Sequence, residues 1–282
     1  DSSCDIPQEL AEKYGIDIMS FHILLDDVDY VERESCTNTE FYDKMRLAKG
    51  VPSTAAITPI QFCEKYRQYV DEGYTDVIHV PINKSGSSTY NNALMAQGML
   101  REERPEHHMK IHLLDPHTYS MVFGWYLCEM ARKLKNGAEI SHVIQEFEKQ
   151  MNCMEIILGP YSLKQMKKSG RISAAAAVMG ELMGVRPIIT LIDGKTKVES
   201  KVRGDDKVVP AMIELCKKRA DGVENFDYMI GHTNIKQAED LEKACRKAFG
   251  KAPLVVFELG GVVSANTGPD TVALVYTGHP RG

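Results

Sequence analysis

Through the first half of the chain, apolar runs of strand length alternate with amphipathic stretches of helix length. A helix start falls at Asp5-Ile6-Pro7, where a carboxylate precedes an early proline and Glu9 follows in the first turn, and Gly15 ends it. Ile16–Leu25 and Val28–Val31 flank Asp26-Asp27, the pattern of a small hairpin, and a short helix from about Thr39 to Lys49 closes at Gly50. Thr58-Pro59 opens the next helix, which runs towards Gly73. The strand-like runs Thr75–Ile82 and Lys110–Asp115 then enclose a helix from Thr89 to about Arg101, and a long helix follows over about 118–135. This β-α-β-α series predicts a mostly parallel sheet with helices on its faces.

The second half has a different rhythm. A helix over 141–154 and a strand over Glu155–Gly159 precede two runs, Pro187–Ile192 and Lys195–Arg203, joined by the hairpin signal Asp193-Gly194. Helices over about 206–220 and 235–249 alternate with strands at 226–232, 253–259 and 271–277. The prediction is a two-domain α/β protein. An N-terminal unit over 1–155 carries a hairpin-containing insertion near 17–50, and a C-terminal mixed-sheet unit covers 156–282.

Composition narrows the function classes. Among 282 residues, 34 lysines and arginines face 39 acids for a net charge of −5, without the cationic excess of a dedicated nucleic-acid binder. The seven cysteines are odd in number, scattered and never in a C-x-x-C pair, which fits reduced thiols and a cytoplasmic location. No apolar stretch approaches the roughly 20 residues that cross a bilayer, so stable membrane insertion is not expected.

Candidate chemistry lies in loops. Ser85-Gly86-Ser87-Ser88-Thr89 joins a buried-type strand to a helix start, where free N–H groups and hydroxyls make an anion site, although Ser88 or Thr89 could simply cap the helix. It lacks the lysine and spacing of a P-loop, which favours a carboxylate or simple anion over a nucleotide. A second hydroxyl-bearing loop, Pro52–Thr58, precedes another helix. Thr58 reads as its cap, whereas Thr54 has no local structural job. In the run Lys164–Ser173 the lysines read as a solvated face, but Arg171, between a glycine and an alanine-rich helix over 173–183, is placed to face a cleft. Nine histidines show no zinc-binding spacing. Ser87 with His232 remains open as a nucleophile pair, although no G-x-S-x-G elbow exposes the serine. Met179 and Met183 lie four apart on one helix, a spacing suited to core packing or to an adaptable apolar tunnel.

Several ordered motifs together resemble the DegV family of bacterial fatty-acid-binding proteins: Asp1-Ser2-Ser3-Cys4-Asp5-Ile6-Pro7, Pro52-Ser53-Thr54, Ser87-Ser88-Thr89-Tyr90, Asp115, Gly170-Arg171-Ile172-Ser173 and Arg186-Pro187-Ile188-Ile189. The resemblance runs from Asp1 to Tyr276. It implies two α/β domains that hold a long-chain fatty acid, such as palmitate, stearate or oleate, with no other cofactor and no catalytic residue. By position, Thr54, Ser87, Ser88, Arg171 and Asn266 would bind the carboxylate. In some bacteria such a protein presents that carboxylate to a separate fatty-acid kinase, the candidate partner here. The family pattern also has a strand directly before Asp-Ser, so a strand ahead of Asp1 is expected. Two departures stand out. Ala55 replaces a frequent second hydroxyl, and in the Gly260–Asp270 segment Asn266 stands where the family usually has histidine and Asp270 where it has glycine. The alternative reading is an enzyme or sensor acting on a small anionic metabolite at the Ser87 loop.

Overall fold

The computed structural model describes residues 1–170 and 184–281. At the start, a 3-10 turn over Ser2–Cys4 is capped by Asp1 and closed by Asp5 in the left-handed region at φ 52°. The sequence suggests Asp5 as a helix cap. Instead Pro7 takes that position without a side-chain bond, and helix α1 (Gln8–Tyr14) ends at Gly15. Asp5 is committed elsewhere, because its carboxylate accepts the Ser120 hydroxyl in the interior.

Strands β1 (His22–Leu25) and β2 (Val28–Val31) turn through Asp26 and Asp27, both at positive φ, as a two-residue hairpin of the primed type requires. The pattern places the first of these strands from Ile16, but pairing begins only at His22. Helix α2 (Asn38–Leu47) opens with a Thr37–Glu40 capping box. Strand β3 (Ser53–Ala55) pairs with the free edge of β1, Thr54 opposite Ile23. Helix α3 (Pro59–Asp71) has its own capping box, Thr58 with Gln61, which confirms Thr58 in its structural role. Strands β4 (Asp76–His79) and β5 (Lys110–Leu113) are parallel and joined by helix α4 (Thr89–Glu103), and helix α5 (Met121–Lys135) follows.

Helix α6 (Ile140–Met151) leads into the second half. Its strands are β6 (Met154–Pro160), β7 (Val185–Ile192), β8 (Lys195–Arg203), β9 (Tyr228–His232), β10 (Val256–Glu258) and β11 (Thr271–Thr277). They form one mixed sheet in the order β10-β9-β11-β6-β7-β8, in which only the β10–β9 pair is parallel. The β7–β8 turn carries Asp193 and Gly194 at positive φ, as the sequence predicts. The helices are α7 (Lys164–Ser169), α8 (Val208–Arg219), α9 (Ile235–Phe249) and α10 (Gly261–Thr267).

Because side chains alternate along a strand, this sheet has two different faces. Ile157, Ile230, Val272 and Leu274 pack against α8 and α9 through Met212, Cys216, Leu241 and Cys245. The other face presents Ile156, Leu158, Met229, Ala273 and Val275 to Ile6, Val80, Leu114 and Phe123 of the first half, so one core crosses between the halves. Helix α10 strengthens that join: Val262 and Ala265 are buried with Phe21, Ile23 and Phe41.

Candidate functional site

Between the sheet's inner face and the first half lies a cavity of about 210 Å³. Its floor follows from strand register. Leu158 lies opposite Ala273 and Ala273 opposite Gly231, while Leu191, Ile156 and Val275 form the next row. Ala273 is the small residue of the first row that faces the cavity, while the space above Gly231 is filled by the Phe257 ring. Its roof comes from the first half, with Phe21, Ile82 and Val122.

Thr54, Ser87, Ser88 and Asn266 all line this one cavity. The fold therefore unites residues spread over more than two hundred positions of sequence. Arg171, the alanine-rich run after it, Met179 and Met183 lie outside the described residues. Thr54 faces inward because strand alternation turns Ser53 and Ala55 outward, and both of those are exposed. The missing hydroxyl at Ala55 thus removes no contact with the cavity.

The Ser87 loop is held from three sides. Asn83 Oδ1 accepts Ser85 N–H at 2.7 Å and the Ser85 hydroxyl at 2.8 Å, a local turn that frees the loop from strand pairing. A Cβ on Gly86 would run into the Tyr119 ring, 2.8 Å from its Cε1, so glycine lets the loop close over that tyrosine. The β7–β8 turn presses against the loop's other side, where a Cβ on Gly194 would lie 2.6 Å from Ser85 Oγ. Ser88 occupies the N-cap position of α4 but makes no capping bond. It is Ser87 Oγ that approaches the helix start, 3.3 Å from Thr89 N and 2.8 Å from Thr89 Oγ1. Simple capping by Ser88 is therefore not what this loop does.

On helix α10, Asn266 Nδ2 donates to Val262 O at 2.9 Å. Its neighbour Thr267 is a residue the sequence reading missed. Thr267 is 8% exposed, lines the cavity, and its hydroxyl has no hydrogen-bond partner among the described residues. A buried hydroxyl without a partner calls for an explanation, and a polar ligand in the cavity supplies one.

The buried carboxylate of Glu32 fixes the start of α10, and the Asp5 carboxylate lies beside Gly260 at its N-cap. Glu32 accepts the Val262 N–H at 2.7 Å and the Ser2 hydroxyl, while Asp5 accepts the Ser120 hydroxyl. Burial pushes the Glu32 carboxyl above its usual range. The Asp5 carboxyl is pushed well up by burial first and by adjacent Glu32 second. The available sequence signal was Gly260-Gly261, since a Cβ on Gly260 would sit 2.8 Å from Glu32 Oε1.

Ser87 and His232 do not meet. His232 is on the sheet face that carries Ile230, opposite to the cavity, and burial lowers its basicity. Among the described residues no group of three or more His, Cys, Asp or Glu could hold a metal ion. Lys164 and Lys168 are exposed on α7, the solvated face expected of that charge run.

The fold and cavity define a mixed α/β protein with an internal apolar chamber fringed by hydroxyls and an amide. Residues 1–278 match the family model described as "Uncharacterised protein, DegV family", and the chain belongs to the DegV family. A DegV domain-containing protein of Clostridium perfringens is 26% identical over 279 residues, covering 98% of this chain and 96% of its own. Among solved structures, a stearic-acid-binding protein from Eubacterium ventriosum matches with a TM-score of 0.89 at 22% identity, covering 99% of this chain and 96% of that one. A fatty-acid-binding DegV family protein from Streptococcus agalactiae matches at 0.85 with 26% identity, covering 99% and 97%.

Proposed function

We propose that the protein is a carrier for a long-chain fatty acid of the palmitate, stearate or oleate class. Its units, residues 1–155 and 156–282, bury the acyl chain between them. Thr54, Ser87, Ser88 and Asn266 bind the carboxylate, Thr267 adds a donor, and Arg171 is an accessory contact by family resemblance. The observation that carries this reading is a single cavity in which an apolar sheet floor meets hydroxyls from separate loops. That is the amphipathic shape of the ligand itself.

Magnitudes assign the work. Burying hydrocarbon is worth roughly 0.8 kcal/mol per methylene, so a chain of about fifteen carbons offers on the order of 10 kcal/mol before association costs. A hydrogen bond to a charged group contributes about 1.5–3 kcal/mol. The tail therefore sets affinity, and the loops set orientation. Nothing in this reading requires covalent chemistry by the chain itself. Resemblance alone supports a separate kinase as partner, transferring phosphoryl from ATP to the bound carboxylate. The seven free cysteines accord with a reducing, cytoplasmic setting, and no helix among the described residues is long and apolar enough to cross a membrane.

The test is native mass spectrometry on protein purified without detergent, with the extracted small molecules identified. A fatty acid at near-unit stoichiometry is expected. Protein that is lipid-free and also refuses palmitate and oleate overturns the carrier reading.

A further inference from the structure

Phe257 is placed differently from the other residues of the cavity floor. It lies opposite Gly231 in the parallel β10–β9 pair, and its ring leans over that glycine. A Cβ on Gly231 would lie 2.9 Å from Phe257 Cζ, 3.0 Å from Cε2 and 3.0 Å from Leu259 Cδ2. The ring thus occupies the volume that a side chain at 231 would fill. Strand β10 is the outermost strand on its side, so no further strand extends the floor beyond Phe257. The Asn83–Ser87 loop packs on the β7–β8 turn at the other side of the sheet. Four strand spacings separate β7 from β10, about 19 Å across the sheet.

We infer that Phe257, backed by Gly231, is the stop that limits the length of acyl chain the cavity accepts. The inference rests on the fatty-acid reading above and assigns its selectivity to one side chain. It leads to opposite expectations for two neighbouring substitutions. Phe257→Ala removes the ring, and the chamber extends over Gly231. Gly231→Ala adds a methyl where the ring now rests and drives the ring towards the chamber.

The experiment equilibrates each protein with an equimolar mixture of myristate, palmitate, stearate and arachidate, and quantifies the retained acids after desalting. Phe257→Ala should raise the retained ratio of one acid to the next shorter by about fifteenfold, the equivalent of two newly buried methylenes. Phe257→Leu should move the ratio the same way by less, and it preserves core packing if the alanine variant folds poorly. Gly231→Ala should shift the distribution to shorter acids. Lipid-loaded Phe257 variants with the unaltered distribution of the parent overturn the inference alone. A parent protein that retains none of the acids overturns the carrier reading and this inference with it.

Discussion

Glu32 Oε1 accepts the backbone N–H of Val262 at 2.7 Å across 230 residues of sequence. The bond anchors the first turn of α10, the helix that brings Asn266 and Thr267 to the cavity. The same carboxylate accepts the Ser2 hydroxyl, whose oxygen in turn accepts Phe21 N–H at 3.0 Å. One buried side chain therefore fixes the second half's contribution to the site against the opening turn of the first.

Its titration gives a prediction with a definite sign. Burial raises the Glu32 carboxyl above its unfolded value, as it does for Asp5. The folded state then holds these protons more tightly than the unfolded state, so stability falls as pH rises from the ordinary carboxylate range through the raised values. Glu32→Gln should flatten that slope in thermal melts taken across this window while keeping an acceptor for Val262. Glu32→Ala should lower stability by about 1–3 kcal/mol, because it leaves a buried N–H and hydroxyl unpaired. A Glu32→Gln melt series as steep as the parent's would contradict the assignment.

Ser87 and Thr267 should differ in how their loss affects the empty protein. Ser87→Ala should weaken fatty-acid binding roughly tenfold or more, and because it leaves the buried Thr89 hydroxyl without its partner, the melting temperature of the empty protein should fall modestly. Thr267→Val removes a buried hydroxyl with no partner among the described residues, at nearly constant volume. The ligand-free protein should become more stable while fatty-acid affinity falls. Calorimetric melts and binding titrations of the same preparations read both quantities, and an affinity unchanged by Thr267→Val would remove that residue from the head-group set.

Asn266 offers a test in the direction of gained function. An amide stays neutral at any working pH, whereas an imidazole with an ordinary value near 6.5 gains charge as pH falls. Asn266→His should make carboxylate binding tighter below about pH 6.5 than above it. The parent should lack that step. Titrations with palmitate at several pH values on both proteins would show it, and parallel curves would place residue 266 away from the carboxylate.

What could be read from the sequence was whatever local chemistry decides. The turns at Asp26-Asp27 and Asp193-Gly194, and the cap at Thr58 before Pro59, depend on residues within a few positions of one another, and they form as read. The loop bearing Ser87 was legible for the same reason. Strand β3 was not, since Ser53-Thr54-Ala55 is too short and too polar to show alternation, and it becomes a strand only because the β1 edge needs a partner. Helix α10 was hidden behind Gly260-Gly261, residues that weaken a helix locally but allow the approach of Glu32. Thr267 could not be singled out because its lack of a partner is a property of the assembled core. Asp5 was misread as a cap because its true partner, Ser120, lies 115 residues away.

Ala273 tests the floor itself. It is 2% exposed and sits in register between Gly231 and Leu158, so its small side chain keeps the chamber open at mid-sheet. In a packed core, Ala→Leu would cost stability through overpacking; here the added carbons enter an existing void, so stability should hold or rise. Those carbons displace about three methylenes of a bound chain, worth roughly 0.8 kcal/mol each, and palmitate affinity should fall by about fiftyfold. Thermal melts of the lipid-stripped variant, paired with palmitate titration, separate the two effects. A variant that melts like the parent yet binds palmitate equally well would show that the acyl chain does not cross this part of the sheet.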